Sequence, residues 1–104
     1  MKEPGSISVI LITFGRAAML KACLESLAAA KTPEVVEVVA ALNGQDPETS
    51  GLLRACAAGY DFLKVLELPQ MCRGEARNAA FKAARGTWLC FLDDDTEVPA
   101  DYFS

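Results

Sequence analysis

The feature that most constrains the fold is a regular alternation of short apolar runs with helical patterns along the 104 residues. Four runs are rich in residues of high strand propensity, and they lie at residues 8–12, 35–40, 62–68 and 88–92. The first and the last have almost no polar interruption, as is expected of strands buried on both faces. Strand and helix alternate, so we predict an α/β fold, a Rossmann-like three-layer sandwich with a mainly parallel four-stranded sheet.

Three helices are predicted between these strands. The apolar face of the first one consists of Met19, Leu20, Cys23, Leu24 and Leu27. The second begins at Asp46, because Asp caps helices and Pro47 suits a first turn, and it ends near Gly59. The third covers residues 75–85, has alanine on its inner face and is stopped by Gly86. The length suits one small domain, residues 1–104.

Composition narrows the chemistry that the chain can perform. The sequence has no histidine, which excludes Ser-His-Asp and Cys-His nucleophilic mechanisms and histidine metal sites. Its formal net charge of -4 argues against general binding to nucleic acid or to an anionic membrane surface. Residues 1–6 are polar and no apolar stretch has the length of a membrane span, so we expect a cytoplasmic protein without a secretory signal.

The cysteines predict neither a zinc site nor a disulfide framework. Four cysteines are present, far apart and without a CxxC pair, so reduced and mostly buried thiols are expected. Cys72 lies beside Arg73 in a predicted loop, and we expect it to be the most exposed of the four.

Three polar segments fall where predicted strands end. They are residues 13–16, residues 43–46 and the acidic triplet at residues 93–95. Ligands of open parallel sheets bind outside the carboxyl ends of the strands, and these segments converge there. The sequence therefore predicts a ligand site at this edge of the sheet.

The acidic triplet has two interpretations. Asp93 and Asp95 flank one residue, so in an extended segment they point to one side while Asp94 points away. Two such carboxylates provide hard oxygen ligands for Mg²⁺ or Mn²⁺, with phosphate oxygens and water completing the coordination. The alternative is an acidic turn that precedes a helix cap.

The order of these motifs resembles glycosyltransferase family 2, the inverting enzymes with the GT-A fold. The resemblance rests on residues 8–16 after the polar start, on residues 74–78 with Ala-Arg-Asn in the third helix, and on residues 91–95 followed by Pro99. It extends over nearly the whole chain. No single motif is decisive, but their order and spacing together are specific.

The resemblance implies a nucleotide-sugar donor and a divalent cation, Mg²⁺ or Mn²⁺. Phe14 would pack near the nucleotide base, whereas a core aromatic is the alternative. Arg77 would meet the nucleotide or its phosphates, whereas a solvated helix arginine is the alternative. Asp93 is expected near the ribose and the metal, and Asp95 on the metal. The residues implied in donor binding are Thr13, Phe14, Arg16, Asn43, Arg77, Asp93 and Asp94.

One departure from the family concerns the nucleotide base. Leu42 occupies the position at which the family usually has a base-reading Asp. Leucine accepts no hydrogen bond from a base N–H, so uracil selection by the usual route is in doubt. Either Asn43 or a backbone carbonyl replaces it, or the donor carries another base.

A second departure concerns completeness. In the family, the general base that deprotonates the attacking hydroxyl follows well after the acidic triplet, and here the sequence ends at Ser104. We therefore expect a domain that is truncated after residues 93–95, binds donor weakly and transfers no sugar alone. The acceptor (a glycan, a lipid or a small molecule) would have no site, and the surface left by the missing half would allow a homodimer.

Three other functions compete with this hypothesis. A phosphatase of the haloacid dehalogenase type also has Asp-x-Asp after a strand, but after the first strand and with Thr or Val where this chain has Glu97. A nucleotidyltransferase needs a glycine- and basic-rich loop, of which only Gly15 and Arg16 are present. A non-catalytic binding module would show no stabilisation by nucleoside diphosphates with manganese.

Overall fold

A computed structural model describes residues 5–103. Seven elements follow one another: β1 (Ile7–Thr13), α1 (Ala17–Ala30), β2 (Val35–Asn43), α2 (Pro47–Gly59), β3 (Leu63–Leu68), α3 (Arg73–Ala83) and β4 (Trp88–Asp93). The strands form one sheet in the order β3-β2-β1-β4, and each neighbouring pair is parallel. The predicted α/β architecture with a parallel four-stranded sheet is confirmed.

The sheet carries a core on each face. The larger core packs α1 and α2 against one face, with Leu20, Leu24 and Leu27 of α1 at most 1% exposed. The smaller core packs α3 against the other face, where Ala80 meets Ile10 of β1. Alanine has no bulk beyond Cβ, so α3 lies close to β1 and β2. The central strand β1 is therefore buried on both faces, as predicted.

Strand β4 departs from the prediction. The sequence predicted a strand buried on both faces, but β4 is an edge strand with β1 as its neighbour. Trp88 is 64% exposed and Phe91 is 47% exposed. Phe91 pairs with Ile10 and lies on the face that carries α3, but α3 lies over β1 and β2. Trp88 is the first residue of β4 and points to the opposite face. The apolar residues of β4 therefore lie at an edge of the sheet that is partly open to solvent.

The helices differ from the prediction in smaller ways. Helix α2 has the predicted bounds, and the Asp46 carboxylate accepts the Thr49 backbone N–H as a cap. Helix α3 covers Arg73–Ala83, two residues earlier than predicted. Met19 is 55% exposed and lies outside the apolar face that it was assigned to. None of the helices within residues 5–103 is long and apolar enough to cross a bilayer.

A buried carboxylate fixes the start of β4. Glu37 is 4% exposed and accepts hydrogen bonds from the Ser8 hydroxyl at 2.7 Å and the Arg85 backbone N–H at 2.6 Å. The Gly86 N–H donates to the same hydroxyl at 2.8 Å. The sequence predicted that Gly86 ends α3, but α3 ends at Ala83. Gly86 instead allows the α3–β4 connection to approach β1. This contact sets the position of β4 and of the acidic triplet that follows it.

Candidate functional site

The carboxyl edge of the sheet holds two adjacent cavities. The larger has a volume of about 210 Å³ and the smaller about 140 Å³. Four residues line both of them: Ile12, Arg16, Arg73 and Asp94. The two cavities are therefore parts of one cleft, which runs from the loop after β1 to the start of α3 and the turn after β4.

Each residue that the sequence assigned to the site lines this cleft. The larger cavity contains Arg16, Arg77, Asp93, Asp94 and Asp95. The smaller cavity contains Thr13, Phe14, Arg16, Asn43 and Asp94. Their convergence follows from topology, because in a parallel sheet all strands end at the same edge. The roles of these residues in binding are taken up below as proposals.

The three aspartates of the acidic triplet have different environments. Asp94 is 6% exposed, and its two oxygens accept from the Thr13 hydroxyl at 2.7 Å and from Arg16 Nη1 at 3.3 Å. Asp93 and Asp95 are exposed. Arg16 Nη1 lies 3.5 Å from Asp95 Oδ2, so one guanidinium spans two of the carboxylates. Asp94 thus anchors the loop after β1, and the outer two carboxylates face the cleft.

The aromatic ring of Phe14 is presented to solvent. Phe14 is 54% exposed, which does not fit the alternative of a core aromatic. Its ring lies over Gly44, where an added Cβ would come within 3.3 Å of the ring and where φ is +118°. A side chain at position 44 would therefore be strained and would push the ring aside. The glycine keeps a flat apolar surface at the mouth of the smaller cavity.

Asp46 ties the loop after β1 to the start of α2. Its carboxylate accepts the Gly15 N–H at 2.7 Å, in addition to the Thr49 amide and hydroxyl. Gly15 has a φ of +70°, a conformation that favours glycine. The Thr49 hydroxyl and then the Gly15 amide hold the pKa of the Asp46 carboxyl below its ordinary value. The Asp46 carboxylate therefore remains ionised at neutral pH, and its hydrogen bond with Gly15 continues to join the two loops.

Asn43 and Leu42 have roles that the sequence did not reveal. Asn43 donates one amide hydrogen to the Met71 carbonyl at 2.9 Å and accepts the Met71 N–H at 3.0 Å. The Asn43 amide thus holds the loop before α3 in place. Leu42 is 1% exposed and belongs to the larger core, so it has no access to a ligand.

Sequence reasoning missed Arg73, the first residue of α3. Its side chain is exposed and lines both cavities. The sequence did contain a signal, because Arg73 lies four residues before Arg77 and shares a helix face with it. The predicted start of α3 at residue 75 left Arg73 outside the helix and hid this relation.

The chemistry of the acidic side chains fits a divalent cation that is shared with a ligand. Within residues 5–103 no three Asp, Glu or Cys side chains cluster in a way that would hold a metal. Asp93 and Asp95 nevertheless both line the larger cavity. Mg²⁺ in proteins is usually held by one or two carboxylates together with substrate phosphates and water. The donor set is thus too small for a resident structural metal and suits a metal that arrives with a phosphate ligand.

Comparison with known proteins assigns the chain to a class. Residues 8–104 match the family described as Glycosyl transferase family 2. EpsH of Bacillus subtilis (strain 168), which is assigned as a glycosyltransferase, is 25% identical over 100 residues. That match covers 96% of this chain and 29% of EpsH. The fold and the sequence match together define a glycosyltransferase domain, and the chain belongs to glycosyl transferase family 2.

Solved structures agree with this assignment. The mannosyltransferase PcManGT from Pyrobaculum calidifontis, in complex with GDP-Man and Mn²⁺, superposes with a TM-score of 0.83 at 23% identity. The match covers 91% of this chain and 29% of PcManGT. S. aureus TarS 1-349 in complex with UDP gives a TM-score of 0.76 at 29% identity, covering 86% of this chain and 27% of TarS. The chain has the fold of the N-terminal GT-A region and spans under a third of the length of these relatives.

The four cysteines should differ sharply in reactivity. All four lie in the described residues and are free thiols, and Cys72 alone is exposed, as predicted. Burial, with the carboxylates of Asp94, Asp95 and Glu97, raises the pKa of Cys23 to about 11. At pH 8 only about one Cys23 thiol in 1,000 is then ionised, and the thiolate is the reactive form.

We expect a thiol reagent such as Ellman's reagent to modify Cys72 first and Cys23 last in the native protein at pH 8. Mass spectrometry of peptides at timed quenches gives the order of labelling. A Cys72→Ser variant should lose the fastest phase and keep the rest. Early labelling of Cys23 would show that the larger core opens readily.

Proposed function

We propose that this chain is the donor-binding part of an inverting glycosyltransferase and that the cleft binds a nucleoside-diphospho-sugar with Mg²⁺ or Mn²⁺. The observation that carries the proposal is the arrangement at the carboxyl edge. An exposed aromatic ring, guanidinium groups and two exposed carboxylates line one continuous cleft. The aromatic ring suits the base of a nucleoside diphosphate, the guanidinium groups suit its phosphates, and the two carboxylates suit the metal ion that its phosphates bind.

The smaller cavity suits the nucleoside. Phe14 offers a flat face on which a base can stack. Thr13 and Asn43 line the same cavity, although both side chains already make hydrogen bonds within the protein. Leu42 is buried and cannot contact the base. Selection of the base would therefore depend on those polar groups of the cavity that are not already hydrogen-bonded within the protein. UDP is bound by TarS in its complex, which supports a nucleoside diphosphate as the ligand class for this chain.

The larger cavity suits the diphosphate. Arg77 lines it, and its guanidinium carbon lies 5.8 Å from the centre of the Phe91 ring. This cation–π contact orients a planar group whose donors match phosphate oxygens. Arg16 lines the same cavity and is steadied by Asp94. The alternative of an arginine that only contacts solvent does not explain the placement of Arg77 beside the carboxylates.

Asp93 and Asp95 would hold the divalent cation. When bound, the cation neutralises the diphosphate and makes it a better leaving group. Asp93, at the end of β4, would also lie near the ribose. The residues of this chain bind and orient the donor, and Asp94 holds Thr13 and Arg16 in place while they do so. PcManGT, whose structure contains GDP-Man and Mn²⁺, has the same fold.

Sugar transfer itself is proposed for a longer protein. Inversion at the anomeric carbon requires a base that takes the proton of the acceptor hydroxyl. Glu97 and Asp101 follow the acidic triplet, but neither lines the cleft. We therefore propose that the base and the acceptor site lie in a region that corresponds to the other two thirds of the relatives. Cytoplasmic location and a homodimer through the surface left by the missing half remain predictions.

Nucleotide binding provides the test. We expect UDP, GDP or dTDP to raise the thermal midpoint of the chain in the presence of Mn²⁺ and to do so less in EDTA. At a ligand concentration of about 100 times Kd, the stabilisation is about 2.7 kcal/mol. One nucleotide giving a larger shift than the others would identify the base. If none of the three shifts the midpoint with Mn²⁺, the proposal is wrong, and the alternative of a non-catalytic binding module is favoured.

A further inference from the structure

One guanidinium contacts two carboxylates of the acidic triplet at the same time. Arg16 Nη1 lies 3.3 Å from Asp94 Oδ1 and 3.5 Å from Asp95 Oδ2. Asp94 is buried and also accepts the Thr13 hydroxyl at 2.7 Å, whereas 47% of the Asp95 side chain is exposed. The contact with Asp94 is therefore the fixed end of the arrangement, and the contact with Asp95 is a surface ion pair that a ligand can break with little loss of stability.

The backbone of Arg16 is held in place, whereas its side chain has room to turn. Arg16 is the N-cap residue of α1, and its carbonyl accepts the Leu20 N–H at 2.8 Å. The preceding residue, Gly15, donates its N–H to the Asp46 carboxylate at 2.7 Å. The Arg16 side chain makes no cap hydrogen bond to α1, and 50% of it is exposed. The guanidinium can therefore change partners within the cleft while the loop after β1 stays fixed.

The charges that line the larger cavity balance one another. The charged side chains among its lining residues are three arginines and three aspartates, namely Arg16, Arg73, Arg77, Asp93, Asp94 and Asp95. A divalent cation alone would give the cavity an excess of positive charge, and a diphosphate alone would give it an excess of negative charge. A diphosphate that is esterified at both ends carries one negative charge on each phosphate, so a divalent cation neutralises it. The cavity therefore suits the pair better than either member alone.

We propose that Arg16 pairs with Asp95 in place of the metal ion while the cleft is empty, and that it leaves Asp95 for the diphosphate when metal and nucleotide bind together. The inference deepens the proposed function and rests on it, because it takes Asp95 as a metal ligand. A guanidinium and a divalent cation at one carboxylate repel each other, so Arg16 weakens the binding of metal alone. In the presence of a diphosphate, Arg16 donates to phosphate oxygens and no longer competes for Asp95. Arg16 thus couples the metal site to the phosphate site.

The test titrates Mn²⁺ without nucleotide into the natural chain and into Arg16→Gln, and electron paramagnetic resonance measures the free Mn²⁺. We expect Arg16→Gln to bind Mn²⁺ about tenfold more tightly, since it removes the charge that repels the metal. Arg16→Lys keeps that charge and should bind Mn²⁺ within about twofold of the natural chain. Arg54→Gln is the matched control and should also stay within about twofold, because Arg54 is an exposed arginine that is paired with Glu67 and lies outside both cavities.

Two further measurements separate this role from a structural one. In the double variant Arg16→Gln/Asp95→Asn the added Mn²⁺ affinity should disappear, because the carboxylate that Arg16 covers is gone. At saturating Mn²⁺, Arg16→Gln should raise the Kd of UDP or GDP about tenfold in calorimetric titrations, as for a lost charge-assisted hydrogen bond. A damaged fold would weaken the binding of metal and nucleotide alike, so effects of opposite sign identify the exchange of partners.

Two results would overturn the inference, and they differ. If Arg16→Gln binds Mn²⁺ no more tightly than Arg54→Gln does, including the case in which neither binds it, Arg16 does not keep metal from Asp95. The proposed function then stands as long as the natural chain binds UDP or GDP with Mn²⁺. If the natural chain binds neither nucleotide with Mn²⁺, the proposed function fails, and the transfer of Arg16 to a diphosphate fails with it.

Discussion

Asp95→Asn is expected to abolish the Mn²⁺-dependent part of nucleotide binding. Asp95 is exposed, lines the larger cavity and is one of two carboxylates available there to a divalent cation. An amide carries no charge, so the variant loses half of the protein's anionic ligands to the metal. Changes to groups that only orient metal ligands cost 10–100-fold in affinity, so loss of a direct ligand should cost at least about 100-fold.

The Asp95→Asn substitution should weaken nucleotide binding without lowering the stability of the protein. Asp95 lies 3.5 Å from Arg16 in an exposed pair, and such pairs contribute about 0–1 kcal/mol. Against this, the variant removes one of three adjacent negative charges that repel one another. We therefore expect an unchanged or slightly higher thermal midpoint without ligand, which separates a binding residue from a structural one.

The measurement is a calorimetric titration of UDP and GDP, each with Mn²⁺ and with EDTA. Asp61→Asn is the matched control, since it makes the same change in an exposed turn before β3, at the opposite edge of the sheet. It should leave both titrations unchanged. A full Mn²⁺ response in Asp95→Asn would show that the cation is held elsewhere or not at all.

Gly86→Ala should have the largest effect on stability. A Cβ at this position would lie 2.6 Å from both the backbone nitrogen and the hydroxyl oxygen of Ser8, and 2.9 Å from the carbonyl carbon of Ile7. Two of these atoms belong to the backbone of β1, the central strand, and have no room to move. Relief of the clash requires β4 to separate from β1, which would also break the hydrogen bonds that join Gly86, Ser8 and Glu37.

We expect Gly86→Ala to lower the free energy of unfolding by about 3 kcal/mol or more, since overpacking costs about 1–3 kcal/mol and lost buried hydrogen bonds add to it. Urea denaturation followed by circular dichroism provides the value. Gly51→Ala is the matched control, because Gly51 is an exposed helical residue with nothing within 4 Å of an added Cβ. It should raise the stability by about 0.5–1 kcal/mol. Equal effects of the two substitutions would contradict the packing of β4 on β1.

The site residues also stabilise one another. Thr13 binds Asp94, Gly15 binds Asp46, and Asn43 binds the backbone of Met71. These bonds join the loops after β1, β2 and β4 and the loop before α3. The cleft is therefore largely formed without a ligand, which reduces the ordering that binding would otherwise require.

The sequence predicted the convergence of its polar segments at the carboxyl edge of the sheet, and the structure shows it. This was possible because the signals are local. The β-rich runs predict strands, the intervening patterns predict helices, and their alternation implies a parallel sheet with one ligand-binding edge. Phe14, Arg16 and the acidic triplet follow strands directly, so their place at this edge needs no knowledge of packing. The resemblance to family 2 is confirmed by the match over residues 8–104.

The errors arose where a local pattern has more than one tertiary meaning. An apolar run such as β4 is compatible with a central strand and with an edge strand, and only the strand order decides between them. Gly86 is compatible with a helix end and with a close backbone approach, and the contact with Ser8 decides. Arg73 was missed because a two-residue error in the start of α3 moved it out of the helix.

The sequence by itself determined the fold class, the family and the edge of the sheet at which the polar residues gather. The tertiary structure alone decided which of these residues form hydrogen bonds within the protein and which remain available to a ligand. Thr13 and Asp94 are 81 positions apart, and Asn43 and Met71 are 28 apart. No local propensity encodes such pairs, because each forms only after the sheet has brought its loops together.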